Sequence, residues 1–113
     1  MKKIIWIGSA LKDLQDCPEG VKDDVGYALY EAQQGEMPIK SKPLKGMLGV
    51  IEIKTDLRSD TYRTVYAVKL GECLYVLHVF KKKSHHGKST PKPDMQVIKS
   101  RLMFAQQMAK ESK

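Results

Sequence analysis

The run from Asp60 to Phe80 restricts the fold more than any other part of the chain. Asp60-Thr61-Tyr62-Arg63-Thr64-Val65-Tyr66-Ala67-Val68-Lys69-Leu70 and Cys73-Leu74-Tyr75-Val76-Leu77-His78-Val79-Phe80 are both rich in β-branched and aromatic residues, and only Gly71-Glu72 separates them. Two such runs joined by two residues predict an antiparallel hairpin. In the first strand Tyr62, Thr64, Tyr66, Val68 and Leu70 share one face, which leaves Arg63, Val65, Ala67 and Lys69 on the other. The second is apolar apart from His78, the pattern of a central strand covered on both faces, and His78 is expected to be a satisfied core histidine. It runs directly into Lys81-Lys82-Lys83-Ser84-His85-His86-Gly87-Lys88. One end of the sheet therefore concentrates cations, and Arg63 sits in the neighbouring strand, where a charge is costly unless an anion meets it. RNA phosphate is an anion of that kind.

Other elements follow from periodicity. Lys3 to Ile7 suits a buried strand, with Trp6 in the core, and Ser9 is placed to cap the short helix of Ala10, Leu11 and Leu14 that Cys17-Pro18 ends. From Glu19 to Gln34, Val21, Val25, Ala28, Leu29 and Ala32 give a longer helix, closed by Gly35. Glu36 to Gly49, with Pro38, Pro43 and Gly46, reads as a loop. Ile51 and Ile53 then oppose Val50, Glu52 and Lys54 in a strand, and a turn is expected at Ser59-Asp60. Thr90-Pro91 offers the start of a last helix, with Ile98, Leu102, Ala105 and Ala109 at helical spacing. Strand, two helices, three strands and a helix predict one α+β domain over residues 1–113. The expected architecture is a small, mostly antiparallel sheet with two N-terminal helices on one face, an RNA-binding cleft on the other, and a C-terminal helix.

Charge is distributed unevenly. Residues 1 to 36 carry four lysines against seven acids, whereas residues 37 to 113 carry sixteen basic against six acidic side chains, within a total of +7. A polyanionic partner met by the second part of the chain is the expectation. Lys12 and Asp13 interrupt the apolar start too early for a secretory core, and no run has membrane-spanning length, so a cytoplasmic location is expected. Cys17 and Cys73 form no paired motif and read as two reduced thiols. With no glycine-rich phosphate loop, nucleophile elbow or metal motif, nucleotide hydrolysis and metal hydrolysis drop out, and no cofactor is expected. His85-His86 lacks cysteine or carboxylate ligands at suitable spacing for a metal.

The order of elements, with Lys42-Pro43-Leu44-Lys45-Gly46 before Glu52-Ile53-Lys54, then Tyr62-Arg63-Thr64-Val65-Tyr66, Leu77-His78-Val79-Phe80-Lys81-Lys82-Lys83-Ser84 and Thr90-Pro91, resembles the RelE/HigB superfamily of toxins. More narrowly it is similar to the phage-derived, HigB-like branch of addiction-module killer proteins. The resemblance covers essentially the whole chain. It implies a RelE/ParE-like fold and the toxin of a type II toxin-antitoxin system: a ribosome-dependent, metal-independent endoribonuclease that cuts messenger RNA and is silenced by a helix-turn-helix antitoxin.

Such cleavage uses the ribose 2′-hydroxyl as nucleophile, so the enzyme must accept its proton, neutralise charge at phosphorus and assist the 5′-oxygen. The resemblance assigns Arg63 to the phosphate, where a planar fork that never loses its proton is suited. Lys54 matches a family lysine near the 2′-hydroxyl; a base role requires neighbouring cations to lower its pKa, and otherwise it is an electrostatic clamp. Glu52 stands where the RelE branch has a second lysine, and is either a base or a partner for Lys54. Lys82 stands for a second arginine. The C-terminal tyrosine of that branch has no counterpart, and His86 is the candidate acid. Lys45, Arg58, Lys81, Lys83 and Lys88 are the expected RNA contacts. Two other functions fit the same features: a non-enzymatic ParE-like inhibitor of DNA gyrase, and a basic phage-derived RNA-binding module.

Overall fold

A computed structural model of the chain describes residues 1–82 and 90–111. Its five strands are β1 (Lys3–Trp6), β2 (Ser41–Pro43), β3 (Val50–Leu57), β4 (Asp60–Leu70) and β5 (Cys73–Lys82). The helices are α1 (Ala10–Gln15), α2 (Glu19–Gln33) and α3 (Lys92–Glu111). All strands form one sheet in the order β1-β5-β4-β3-β2, antiparallel except for the β1–β5 pair. The chain is thus a mixed α+β fold with a five-stranded sheet and three helices.

Each sheet face has its own core. Ala10 and Leu14 of α1 and Val21, Val25, Ala28, Leu29 and Ala32 of α2 pack on Ile51, Ile53, Tyr62, Tyr66, Leu74, Val76 and Val79. On the reverse face, Ile98 and Ala105 of α3 pack with Ile7, Leu44, Val50, Val65, Ala67, Tyr75 and Leu77. Full burial of a valine or leucine contributes about 1.5–3 kcal/mol, so the α2 stripe anchors that helix by burial alone. In α3 only Ile98 and Ala105 are fully buried, and polar clamps add to this narrow stripe. His78 Nε2 meets Asp94 Oδ1 at 2.7 Å in the first turn, and Arg101 Nη1 donates to the Leu77 carbonyl at 2.9 Å.

That carbonyl belongs to a β-bulge. Val65 pairs with His78 and Tyr66 with Val76, which leaves Leu77 as an extra residue in β5. Leu77 and His78 therefore both face α3, and the alternation beyond them is inverted. Arg101 supplies the donor that the ladder does not, and its Nη2 also donates to Ser9 Oγ at 3.1 Å. Gly8 makes room for this guanidinium: at φ +59 it has the left-handed conformation, and a Cβ there would lie 2.7 Å from Arg101 Nε. A second irregularity in β4 places Lys69 at φ 67 and turns Leu70 to the α3 face. It ends the simple alternation expected for Tyr62 to Leu70.

Four further points correct the sequence reading. The face expected to carry the cleft also bears α3, which the sequence pattern assigns to neither face. The expected loop from Glu36 to Gly49 contains β2, a three-residue edge strand in which Pro43 is tolerated because an edge needs no second ladder partner. Ser9 makes no capping bond to the backbone; its hydroxyl donates to Asp13 Oδ2 at 2.7 Å instead. The β3–β4 turn lies at Arg58-Ser59, one residue early, with Arg58 at φ 57. Gly35 closes α2 at φ +87 as expected, and both cysteines are free and half-buried.

Candidate nucleic-acid interface

Strand pairing gathers the charged residues of the α3 face into adjacent rows. Lys42 on β2 lies opposite Glu52 on β3, Lys54 opposite Arg63 on β4, Arg63 opposite Phe80, and Thr61 opposite Lys82. Period-two alternation sends all of these side chains to one side of the sheet. The β5 bulge brings Lys82 to that side too.

At the centre is a buried ion pair. Glu52 is 2% exposed and Arg63 6% exposed, and Arg63 Nη1 donates to Glu52 Oε1. The Thr90 hydroxyl is 3.5 Å from Glu52 Oε2. Arg63 Nε is buried without a hydrogen-bond partner among the described residues. Of the two roles open to Glu52, pairing with Lys54 is thus replaced by pairing with Arg63. Lys54 is half-exposed and lies 3.8 Å from Asp56 Oδ2, a contact of little energetic weight at the surface.

Lys82 occupies the most informative environment. Burial, and then the positive charges of Arg63, Lys42 and Lys54, push its ammonium below the ordinary lysine range, with Glu52 opposing them. Beside the group, Lys42, Pro43, Leu44 and Lys45 face Thr90 and Met95 across a cleft of about 480 Å³ that also reaches Glu52.

Of the expected RNA contacts, Lys45 lines this cleft and Arg58 is exposed at the β3–β4 turn. Lys81 is elsewhere. It pairs with Tyr62 in register, so it points to the α1–α2 face, where its ammonium meets Asp60 Oδ2 at 3.2 Å. Lys81 and Lys82 are therefore not one patch, since a strand divides consecutive residues between its two faces. Lys83, His86 and Lys88, with His85, lie outside the described residues. His78 stacks on Phe80, with ring centroids 4.9 Å apart, and is buried as expected, but it is only half satisfied: Nε2 meets Asp94, whereas Nδ1 is buried without a hydrogen-bond partner among the described residues. Sequence reasoning missed Lys42, Thr90 and Asp94 as neighbours of the site. Lys42 carried the detectable signal, a lysine just before a proline in a segment able to pair with Glu52. Among the described residues no three histidine, cysteine, aspartate or glutamate side chains form a group able to hold a metal, and no helix is long and apolar enough to cross a membrane.

No curated protein and no solved structure gives a significant match to the chain. A family model does: it spans residues 12–103, reaching from α1 to the middle of α3 and taking in the whole charged cluster, and it is described as phage derived protein Gp49-like (DUF891). The chain belongs to the Gp49-like (DUF891) family of phage-derived proteins.

Proposed function

We propose that this protein is a RelE/HigB-type toxin with a RelE/ParE-like fold, a ribosome-dependent endoribonuclease that cleaves messenger RNA without a metal and is held inactive by a helix-turn-helix antitoxin. The observation that carries the proposal is the set of four cations, Lys42, Lys54, Arg63 and Lys82, on one sheet face beside an open cleft, with the lysine amine at Lys82 depressed by burial and by its cationic neighbours. A cation cluster attracts a phosphodiester, and a lysine with a lowered pKa has more neutral amine available to take a proton.

In this reading Lys82 Nζ accepts the proton of the ribose 2′-hydroxyl as the 2′-oxygen attacks phosphorus. The bond from phosphorus to the 5′-oxygen breaks, leaving a 2′,3′-cyclic phosphate, and the departing oxygen takes up a proton. Lys54 and Lys42 hold the flanking phosphates, and Arg63, oriented by Glu52, faces the developing negative charge. His86 is the proposed donor to the leaving oxygen. Glu52 keeps Arg63 fixed and limits the field of the cluster.

Mapping transcript 5′ ends after induction tests this, in cells and with purified ribosomes. Cleavage only with ribosomes, abolished by Lys82→Met and not restored by Lys82→Arg, is the expected result. Unchanged cleavage in Lys82→Met refutes the assignment of the base. Growth arrest with altered plasmid supercoiling and intact transcripts would instead identify a gyrase inhibitor.

A further inference from the structure

Helix α2 turns an unpartnered face to solvent on the side of the sheet opposite the cation cluster. Asp23, Gly26, Tyr27 and Tyr30 form one stripe on it, at spacings of three and four residues. Tyr27 is 67% and Tyr30 52% exposed, unusual for two large rings on one helix. Gly26 between them is the sharper anomaly. It lies in the helix interior, lacks a positive φ, and a Cβ added to it would meet nothing within 4 Å. Neither the backbone nor packing within the chain uses its missing side chain, although glycine weakens a helix. What the absence provides is a notch between the rings through which another backbone can approach closely.

Charge narrows the occupant. Glu19, Asp23, Asp24 and Glu31 oppose only Lys22 on α2; Lys22 pairs with Glu19 at 2.7 Å and Asp24 accepts from Thr55 at 2.8 Å, so an acidic helix, with Asp23 on the stripe itself, stands on a chain of net charge +7. Nucleic acid and anionic lipid are repelled there, and two copies meeting through the same stripe would bring their acids together. We infer that this stripe docks a basic amphipathic helix of another protein: its backbone passes over Gly26, its apolar side chains pack on Tyr27 and Tyr30, and its lysines or arginines meet Asp23 and Glu19. Arginine adds stacking on the tyrosine faces. The inference is independent of the RNA reading, because the two surfaces are separated by the sheet and can be occupied together.

The test uses the full chain, ¹⁵N-labelled, and two synthetic helical peptides of about five turns, or ~18 residues, each with a leucine stripe flanked either by arginine or by glutamate. The arginine peptide is expected to shift the amides of Asp23, Gly26, Tyr27 and Tyr30 saturably, and the glutamate peptide to leave them unmoved. Tyr27→Ala with Tyr30→Ala should weaken binding roughly tenfold or more, as for aromatic hot spots. Gly26→Leu should do the same by filling the notch, while it raises the thermal midpoint because leucine is the better helix former, so lost binding is not lost folding. Shifts of equal size with the glutamate peptide, shifts confined to Lys42, Lys54 and Lys82, or binding unaffected by both variants would overturn the inference. Concentration-dependent sedimentation of the unliganded chain that Tyr27→Ala/Tyr30→Ala abolishes would overturn it too, by giving the stripe to a second copy.

Discussion

Replacing either member of the Glu52–Arg63 pair should cost the fold heavily, and unequally. With Glu52 2% and Arg63 6% exposed, removing one partner strands a charge inside the protein, which typically costs about 3–5 kcal/mol. Set against a stability of roughly 5–15 kcal/mol for a domain of this size, that is a large fraction. Glu52→Leu should lie at the upper end, since it leaves Arg63 buried among Lys42, Lys54 and Lys82 with nothing to balance them. Arg63→Met should lie at the lower end, because Lys82 remains close enough to offset the carboxylate. At a urea slope of about 2 kcal/mol per M, a loss of about 4 kcal/mol lowers the unfolding midpoint by about 2 M. The double variant should recover most of the loss, since exchanging a whole buried pair for apolar groups of similar volume is often neutral or better. Urea unfolding of parent, two single variants and the double variant at pH 7, read as a cycle, measures all of this. If Arg63→Met alone costs less than about 1 kcal/mol, the pair behaves like a solvated surface contact and the reasoning fails. A practical consequence concerns Arg63→Ala: the burial of Glu52 makes it a folding variant as well as a functional one, and the double variant is the cleaner control.

Two further outcomes are expected. Because Lys82 has a folded-state pKa below the ordinary 10.5, the folded state releases its proton first, and the parent gains stability as pH rises from that lowered value towards 10.5; Lys82→Met should lack this rise, and denaturation of both proteins at pH 7 and 10 checks it. Gly8→Ala should lose about 1–3 kcal/mol, from the left-handed backbone and from crowding of the Arg101 guanidinium, and an unchanged thermal midpoint would contradict the packing described.

Much of the fold was legible in the sequence because it rests on local patterns. The spacing of Val21, Val25, Ala28, Leu29 and Ala32 specifies a buried helix stripe, Ile51 and Ile53 alternating with Val50, Glu52 and Lys54 specify a strand, and the apolar run from Leu74 to Phe80 specifies one covered on both sides. What escaped depended on pairing between distant residues. β2 is too short, and too marked by Pro43, to register until Lys42 is seen opposite Glu52. The partner of Glu52 could not be read because Lys54 is closer in sequence, whereas Arg63 is closer across the ladder. Lys54 and Arg63 lie opposite each other in register, and the depressed amine at Lys82 could not be read because it depends on burial and on three cations brought to it from other strands. Lys81 and Lys82 were read together for a simpler reason: neighbours along a strand point to opposite faces of the sheet, which their sequence adjacency does not show.

The bulge at Leu77 also bears on how this chain tolerates changes of length. Losing one residue from a strand ordinarily transposes every downstream side chain to the opposite face, an inversion no sheet with two covered sides survives. Leu77 is the exception in β5, because the segments before and after it are already out of phase by one. Its deletion would leave a regular strand with His78, Phe80 and Lys82 still facing α3, and would forfeit chiefly the Leu77 side chain and the carbonyl held by Arg101. Deletion of Val79 would instead move Lys82 to the far side of the sheet. Length variation in this strand among related chains should therefore collect at one position, and chains that lack the extra residue should be free to lose the arginine of α3 and the glycine that accommodates it.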